Sequence, residues 1–490
     1  MTFRNLLLTF FVAFLLFNGF VLAQKQPKST PKNPKLEPAY AITFNIKNMP
    51  SGYAKFGYYY MGKTYVIDSQ KVNPKQLKMT FKGDKKLLQG MYFFALPNGE
   101  LMDLVVEQSA NFEIRSVANF LKDSCYAENS IENENFFEYQ RYLAAQERKL
   151  DEYKVLSEIN KSNPNELQTQ TLETKKRQTI AQINTFIRAY VTLYPERLFT
   201  KIILTGKATI VPDSIPPYFG ANKQPNYAYY EFAKNHFWDN YDFNDERLLR
   251  SKATAKKLTS YLEQIVFKNP DTIKVAIDKL IEKANAQNEK VAQAMLNWLI
   301  SYYDQIDVMG FDGIFIHIVE KYFPKNQTQT WIDQATKQRI YYKVDFYKPT
   351  LLGNKAPKID LLDTLQQTVS LDTINSPLTM LIFYSPMCQH CKEQMPEFYK
   401  LYQNFQNKGL KIIAINIEKE KAEQEYWRQT IKTNNWQWIN TTPNPNDPAF
   451  QDTYAAYNLP VSYLLNQNKQ IIMKRLSPKQ YDKHIAEILK

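Results

Sequence analysis

Two of the three cysteines in this chain, Cys388 and Cys391, stand three positions apart in the stretch Y-S-P-M-C-Q-H-C. A pair so placed can do two kinds of chemistry. It can cycle between dithiol and disulfide, one thiolate attacking a substrate disulfide and the other thiol resolving the mixed disulfide. It can instead offer soft ligands to a metal, with His390 between the cysteines as a third donor. Stable zinc needs four ligands in a closed tetrahedron, and three donors crowded onto one turn are badly placed to chelate jointly. We therefore read the pair as exchange chemistry, with no metal and no cofactor.

The neighbouring elements must position these thiols. P-L-T-M-L-I-F-Y-S-P, just before the pair, is a near-continuous apolar run, the pattern of a central strand buried on both faces. C-Q-H-C-K-E-Q-M-P-E-F-Y-K-L-Y-Q-N-F has helical spacing. A strand running directly into a helix puts Cys388 at the helix N-terminus. Unpaired N–H groups and the helix dipole there favour a thiolate, lowering the pKa from its free value of about 8.5 and making Cys388 the nucleophile. The spacing of three brings Cys391 onto the same helical face, close enough to form a redox-active Cys388–Cys391 disulfide as the resolving thiol. Pro396 is expected to kink the helix.

Further strands are expected in A-P-K-I-D-L-L-D, T-V-S-L-D and the apolar L-K-I-I-A-I-N-I; E-Y-W-R-Q-T-I-K should be helical, and V-S-Y-L-L-N with Q-I-I-M-K-R a closing hairpin. That order describes an α/β thioredoxin-like fold. Through G-N-K-A-P, Y-S-P-M-C-Q-H-C-K-E-Q-M-P and L-P-V-S-Y-L-L-N, residues 346–490 resemble a TlpA/ResA-type thiol-disulfide oxidoreductase domain. The resemblance implies that Leu459-Pro460 holds a cis-proline facing the cysteines, freeing backbone groups to pair with a bound peptide strand. It also implies protein disulfide or dithiol substrates, a membrane-linked thiol electron donor and a reductive direction.

Three departures qualify the resemblance. Phe383-Tyr384 stands where the family often has Trp, and Ile382 where thioredoxin buries an Asp. Many members carry Glu three residues after the second cysteine to handle its proton, whereas this chain has Gln394. Glu393 is adjacent, but one residue on a helix is a turn of about 100°. The proton would then pass through Glu393, a water or the substrate. His390 resembles oxidising or isomerising members: a cation there stabilises the reduced pair and raises its potential. A disulfide isomerase or oxidase is thus an alternative, and a binding scaffold using the domain as a platform is another.

Upstream, Arg4 and the apolar Leu6–Phe17 run, followed by Val21 and Ala23, read as a cleaved export signal over residues 1–23. The apolar run is shorter than the ~20 residues a bilayer span needs. No cysteine lies near the cleavage point, so no lipid anchor is indicated and a periplasmic location is expected. Residues 24–38 form a Lys/Pro-rich linker. Residues 39–118 hold seven short aromatic and β-branched runs, expected to build an antiparallel β-sandwich. The pattern at Asp68-Ser69, Phe81–Gly83 and Gly90–Tyr92 resembles small β modules found ahead of exported thioredoxin domains. Residues 119–345 read as an α-helical region of about eight helices. Its end, from V-M-G-F-D-G to W-I-D, resembles segments that precede TlpA-type domains. His317, His236 and Cys125 are read as structural.

The formal charge is +13, with both signs interspersed and no long basic block. Without a nucleic-acid motif, and with export, nucleic acid is not an expected partner. The lysine surplus suits acidic partners or an anionic membrane surface. A chain this large does not need disulfide staples for its core, so the cysteine pair is read as chemical, not structural.

Overall fold

The computed structural model describes residues 38–490 apart from 74–77, 109, 163–164, 217–225, 307, 326–330, 446 and 448. The segment read as an export signal and most of the expected Lys/Pro-rich linker lie outside the described residues. Among the described residues, no helix is long and apolar enough to cross a membrane.

Alternation of apolar and polar residues produces eight strands at the N-terminal end: β1 (Tyr40–Lys47), β2 (Tyr53–Tyr60), β3 (Lys63–Lys71), β4 (Lys78–Gly83), β5 (Gly90–Ala95), β6 (Leu101–Val106), β7 (Asn111–Val117) and β8 (Tyr126–Glu128). They form two sheets, β4-β1-β7-β8 and β3-β2-β5-β6. Aromatic side chains fill the space between them; Phe44 of β1 stacks on Phe94 of β5 at 4.1 Å. One pair departs from the antiparallel plan: β1 and β7 run parallel. The intervening chain builds the opposite sheet and β4 before returning, the long crossover that parallel pairing requires. β8 extends the layer past residue 118, where the strand pattern in the sequence fades.

The helical region holds nine α-helices of eight or more residues among the described residues. It is not a separate body. Its apolar faces join the β-layers in one continuous core running from Tyr40 to Val344. Asn133, fully buried, seals the junction by accepting from Val105 N and donating to Val105 O, at 2.8 and 2.7 Å. Cys125 is buried beside Ser116 and Met102, and burial raises its pKa to about 11. His317 bonds Asp278 at 2.9 Å between helices, and His236 bonds Asp239 at 2.6 Å.

The C-terminal domain is built on β9 (Asp360–Asp363), β10 (Thr368–Ser370), β11 (Leu378–Tyr384), β12 (Leu410–Asn416), β13 (Ile439–Pro443), β14 (Val461–Asn466) and β15 (Ile471–Lys474). Their order is β10-β9-β13-β12-β11-β14-β15. All seven residues of β11 are buried, as befits a strand covered on both faces. It pairs parallel with β12 and antiparallel with β14. Helices Gln389–Phe405 and Pro478–Ile488 contribute to one face of the core, while Phe450 and Tyr454 pack into the other. The result is a thioredoxin-like fold behind a β-rich and a helical region.

Candidate active site

β11 ends at Tyr384, and the turn Ser385-Pro386-Met387 delivers the chain to Cys388, the N-cap of helix Gln389–Phe405. The turn is held locally. Cys388 N donates to Ser385 O at 3.2 Å, and Met387 N to Ser385 Oγ at 3.0 Å. Lys392 N donates to Cys388 O at 3.1 Å, starting the helical ladder. Pro396 lies inside this helix.

The two thiols occupy different environments. Cys388 is partly exposed, whereas Cys391, on the same helix, is 1% exposed. Burial pushes the Cys391 thiol up to about 12, and its interaction with Cys388 adds to the shift. The peptide bond between Leu459 and Pro460 is cis, and Cys388 Sγ donates to the Leu459 carbonyl at 3.7 Å. Both cysteines are free thiols.

Glu393 is exposed and accepts from Gln389 Nε2 at 2.8 Å, on the solvent side of the helix. Gln394 instead lines a cleft that also contains Pro460. His390 is exposed on the first turn.

The site contains an acid that helical spacing alone could not reveal. Glu418 follows the C-terminal end of β12, and its carboxylate accepts a hydrogen bond from Ser385 Oγ. Ile417 N donates to Tyr384 O at 3.0 Å, fixing this segment beside the end of β11. The Glu418 charge is among the influences that hold the Cys391 proton in place. Its only sequence signal is an acid just beyond the carboxyl end of a buried parallel strand, where α/β sheets place their sites.

Behind Cys391 lies a cavity of about 330 Å3, bordered by Tyr384, Ser385, Met395, Thr430 and Trp436. Tyr384 is fully buried and accepts from Trp427 Nε1 at 2.9 Å, so both polar atoms are satisfied inside the core. Burial raises the Tyr384 pKa and keeps its hydroxyl protonated.

On the other side, a larger cleft of about 790 Å3 separates the thioredoxin-like domain from the helical region. Lys474 crosses the junction. It is 4% exposed, pairs with Asp312 and donates to Thr350 O at 2.6 Å.

Residues 352–475 match the AhpC/TSA family, and residues 168–348 match a domain of unknown function, DUF5106. The thiol-disulfide oxidoreductase ResA of Bacillus subtilis (strain 168) is 24% identical over 120 residues, covering 24% of this chain and 64% of that protein. The chain thus spans just under two thirds of that relative. ResA of Geobacillus kaustophilus is 26% identical over 143 residues, covering 28% of this chain and 78% of the relative. A crystal structure of a thioredoxin-like protein from Bacteroides caccae is 18% identical, with a TM-score of 0.45, covering 57% of this chain and 98% of that one. Residues 352–475 of this chain are thus similar to the AhpC/TSA family and to the thiol-disulfide oxidoreductases named ResA.

Proposed function

We propose that this chain is an exported, periplasmic thiol-disulfide oxidoreductase that reduces protein disulfides through Cys388 and Cys391. One arrangement carries the reading: a partly exposed sulfur at a helix start, beside the Leu459–Pro460 segment, with a buried second sulfur one helical turn behind. The names of the ResA relatives support the same chemistry.

Cys388, as thiolate, attacks one sulfur of the substrate disulfide. A mixed disulfide forms, and the other substrate sulfur leaves as a thiolate that takes up a proton. Cys391 then gives up its proton and attacks the Cys388 sulfur. The internal disulfide forms and the first substrate sulfur is expelled. Two electrons have passed from the dithiol to the substrate. A membrane-linked dithiol donor restores the reduced pair and is itself oxidised.

Cys391 needs a proton acceptor because burial holds its proton tightly. Glu418, linked to the active-site turn through Ser385, is the acid that supplies it, through a water.

The test is the reduction potential of the pair, measured in thiol buffers with alkylation mass shifts. A value at or below about −270 mV supports a reductase. A value near about −180 mV or higher moves the assignment to isomerase or oxidase. A pair that fails to cycle in any buffer leaves the scaffold reading in its place.

A further inference from the structure

The cleft beside Pro460 has two walls from distant parts of the chain. Gln394, Pro460 and Arg475 belong to the thioredoxin-like domain, whereas Met309 and Phe346 belong to the helical region, whose last helix, Gln334–Tyr347, runs two residues past the boundary read from the sequence. Pro460, which follows the Leu459 carbonyl that Cys388 Sγ contacts, therefore borders an interdomain groove.

The walls are joined next to the site itself. Tyr457, two residues before Leu459, stacks on Phe346 at 5.8 Å with 25° between the ring planes. The Arg475 guanidinium lies 5.5 Å from the centre of the Tyr347 ring. The buried Lys474–Asp312 pair fixes the same boundary one residue before Arg475. Through these contacts the helical region's last helix, Gln334–Tyr347, abuts the segment that carries Pro460.

The groove also has a chemical character. Tyr457 is 52% exposed and Val308 is 51% exposed, giving it accessible apolar surface. Arg475 is exposed, donates to Ala455 O at 3.4 Å, and interacts with Tyr463 and with Asp312, whose carboxylate is itself paired with Lys474. A basic occupant, such as the chain's own Lys-rich segment 24–38, would meet this cation with like charge. An acidic one would complement it.

Building on the exchange reading, we infer that the groove between the helical region and the thioredoxin-like domain binds an extended, cysteine-bearing segment of the protein substrate. An apolar side chain of that segment rests against Phe346 and Tyr457, and an acidic side chain meets Arg475. The helical region is then a specificity element for the exchange reaction.

The test uses the reduced full chain and three probes. Two are ten-residue peptides whose single cysteine is linked by a disulfide to 2-mercaptoethanol, with Phe-Glu or Phe-Lys before the cysteine. The third is bis(2-hydroxyethyl) disulfide. Each second-order rate constant is divided by that of dithiothreitol with the same probe, which removes the probe's intrinsic reactivity. The acidic peptide should react about tenfold faster than the lysine peptide, and Arg475→Gln should erase that preference. Phe346→Ala should lower the ratio of peptide to small-disulfide rates about tenfold. Equal rates for the two peptides with the unmodified chain, or ratios that neither substitution changes, would overturn the inference. The underlying reading fails separately, if Cys388→Ser reacts with bis(2-hydroxyethyl) disulfide as fast as the unmodified chain does.

Discussion

Cys388 Sγ lies 3.7 Å from the carbonyl oxygen of Leu459, bringing together residues 71 positions apart in the chain. This contact puts the accessible sulfur beside the Pro460 segment, while Cys391 stays behind it in the core. The two thiols are therefore unequal before any substrate arrives.

That inequality is measurable by alkylation. Iodoacetamide at pH 7.5 should label the reduced chain at Cys388 and leave Cys391 and Cys125, both buried and with raised pKa values, at least about a hundredfold slower. Intact-mass spectra should show one adduct, and Cys388→Ser should show none on the same timescale. Two or three adducts arriving together would contradict the assignment of the accessible sulfur.

The raised pKa of Cys391 also fixes a sign for stability. The folded chain keeps this proton where the unfolded chain loses it, so the contribution is complete below about pH 8.5. It declines as pH rises toward about 12, the folded-state value. Urea midpoints of the reduced chain should fall over that window more steeply than those of Cys391→Ala. Parallel slopes would show that the thiol does not titrate as its burial requires.

Glu418→Gln should slow resolution of the mixed disulfide by at least about tenfold near pH 7, through loss of the proton acceptor. The nucleophilic attack by Cys388 should change much less. Rapid-quench trapping separates the two steps by following the lifetime of the mixed disulfide. The effect should shrink at high pH, where hydroxide can take the proton. A rate loss that is uniform across pH would instead indicate a structural role for the Ser385–Glu418 contact.

Tyr384→Phe should cost about 1–3 kcal/mol, because it leaves Trp427 Nε1 buried without its acceptor. The exchange rate should change little, since the Tyr384 hydroxyl is committed to Trp427. Thermal unfolding and single-turnover kinetics on the same sample give both numbers. Unchanged stability would mean that the indole finds another acceptor.

Lys474→Met should destabilise the chain by about 3 kcal/mol, since it strands the Asp312 carboxylate at the domain junction. Hydrogen exchange should speed up first around residues 312 and 350, the two ends of the contacts Lys474 makes. Exchange that rises equally throughout the chain would argue against a local junction.

Much of this site is written into local sequence. The apolar run before Cys388 marks a strand covered on both faces, and the helical spacing after it places both cysteines on one turn. Such patterns record periodicity and burial along a single element. They do not record which elements become neighbours. Glu418 meets Ser385 only because β11 and β12 lie side by side, and Glu393 faces solvent only in the helical phase the fold sets.

The larger architecture follows the same division. Strand and helix periods separate the β-rich, helical and thioredoxin-like portions, yet they gave no sign that the first two share one core. Nor could they pair Lys474 with Asp312, 162 positions away, or stack Tyr457 on Phe346. By itself the sequence determined the strand and helix that carry the cysteine pair and their order along the chain. Tertiary structure alone decided the proton's neighbour and the second wall of the groove, because both depend on contacts between surfaces that carry no local periodic signal.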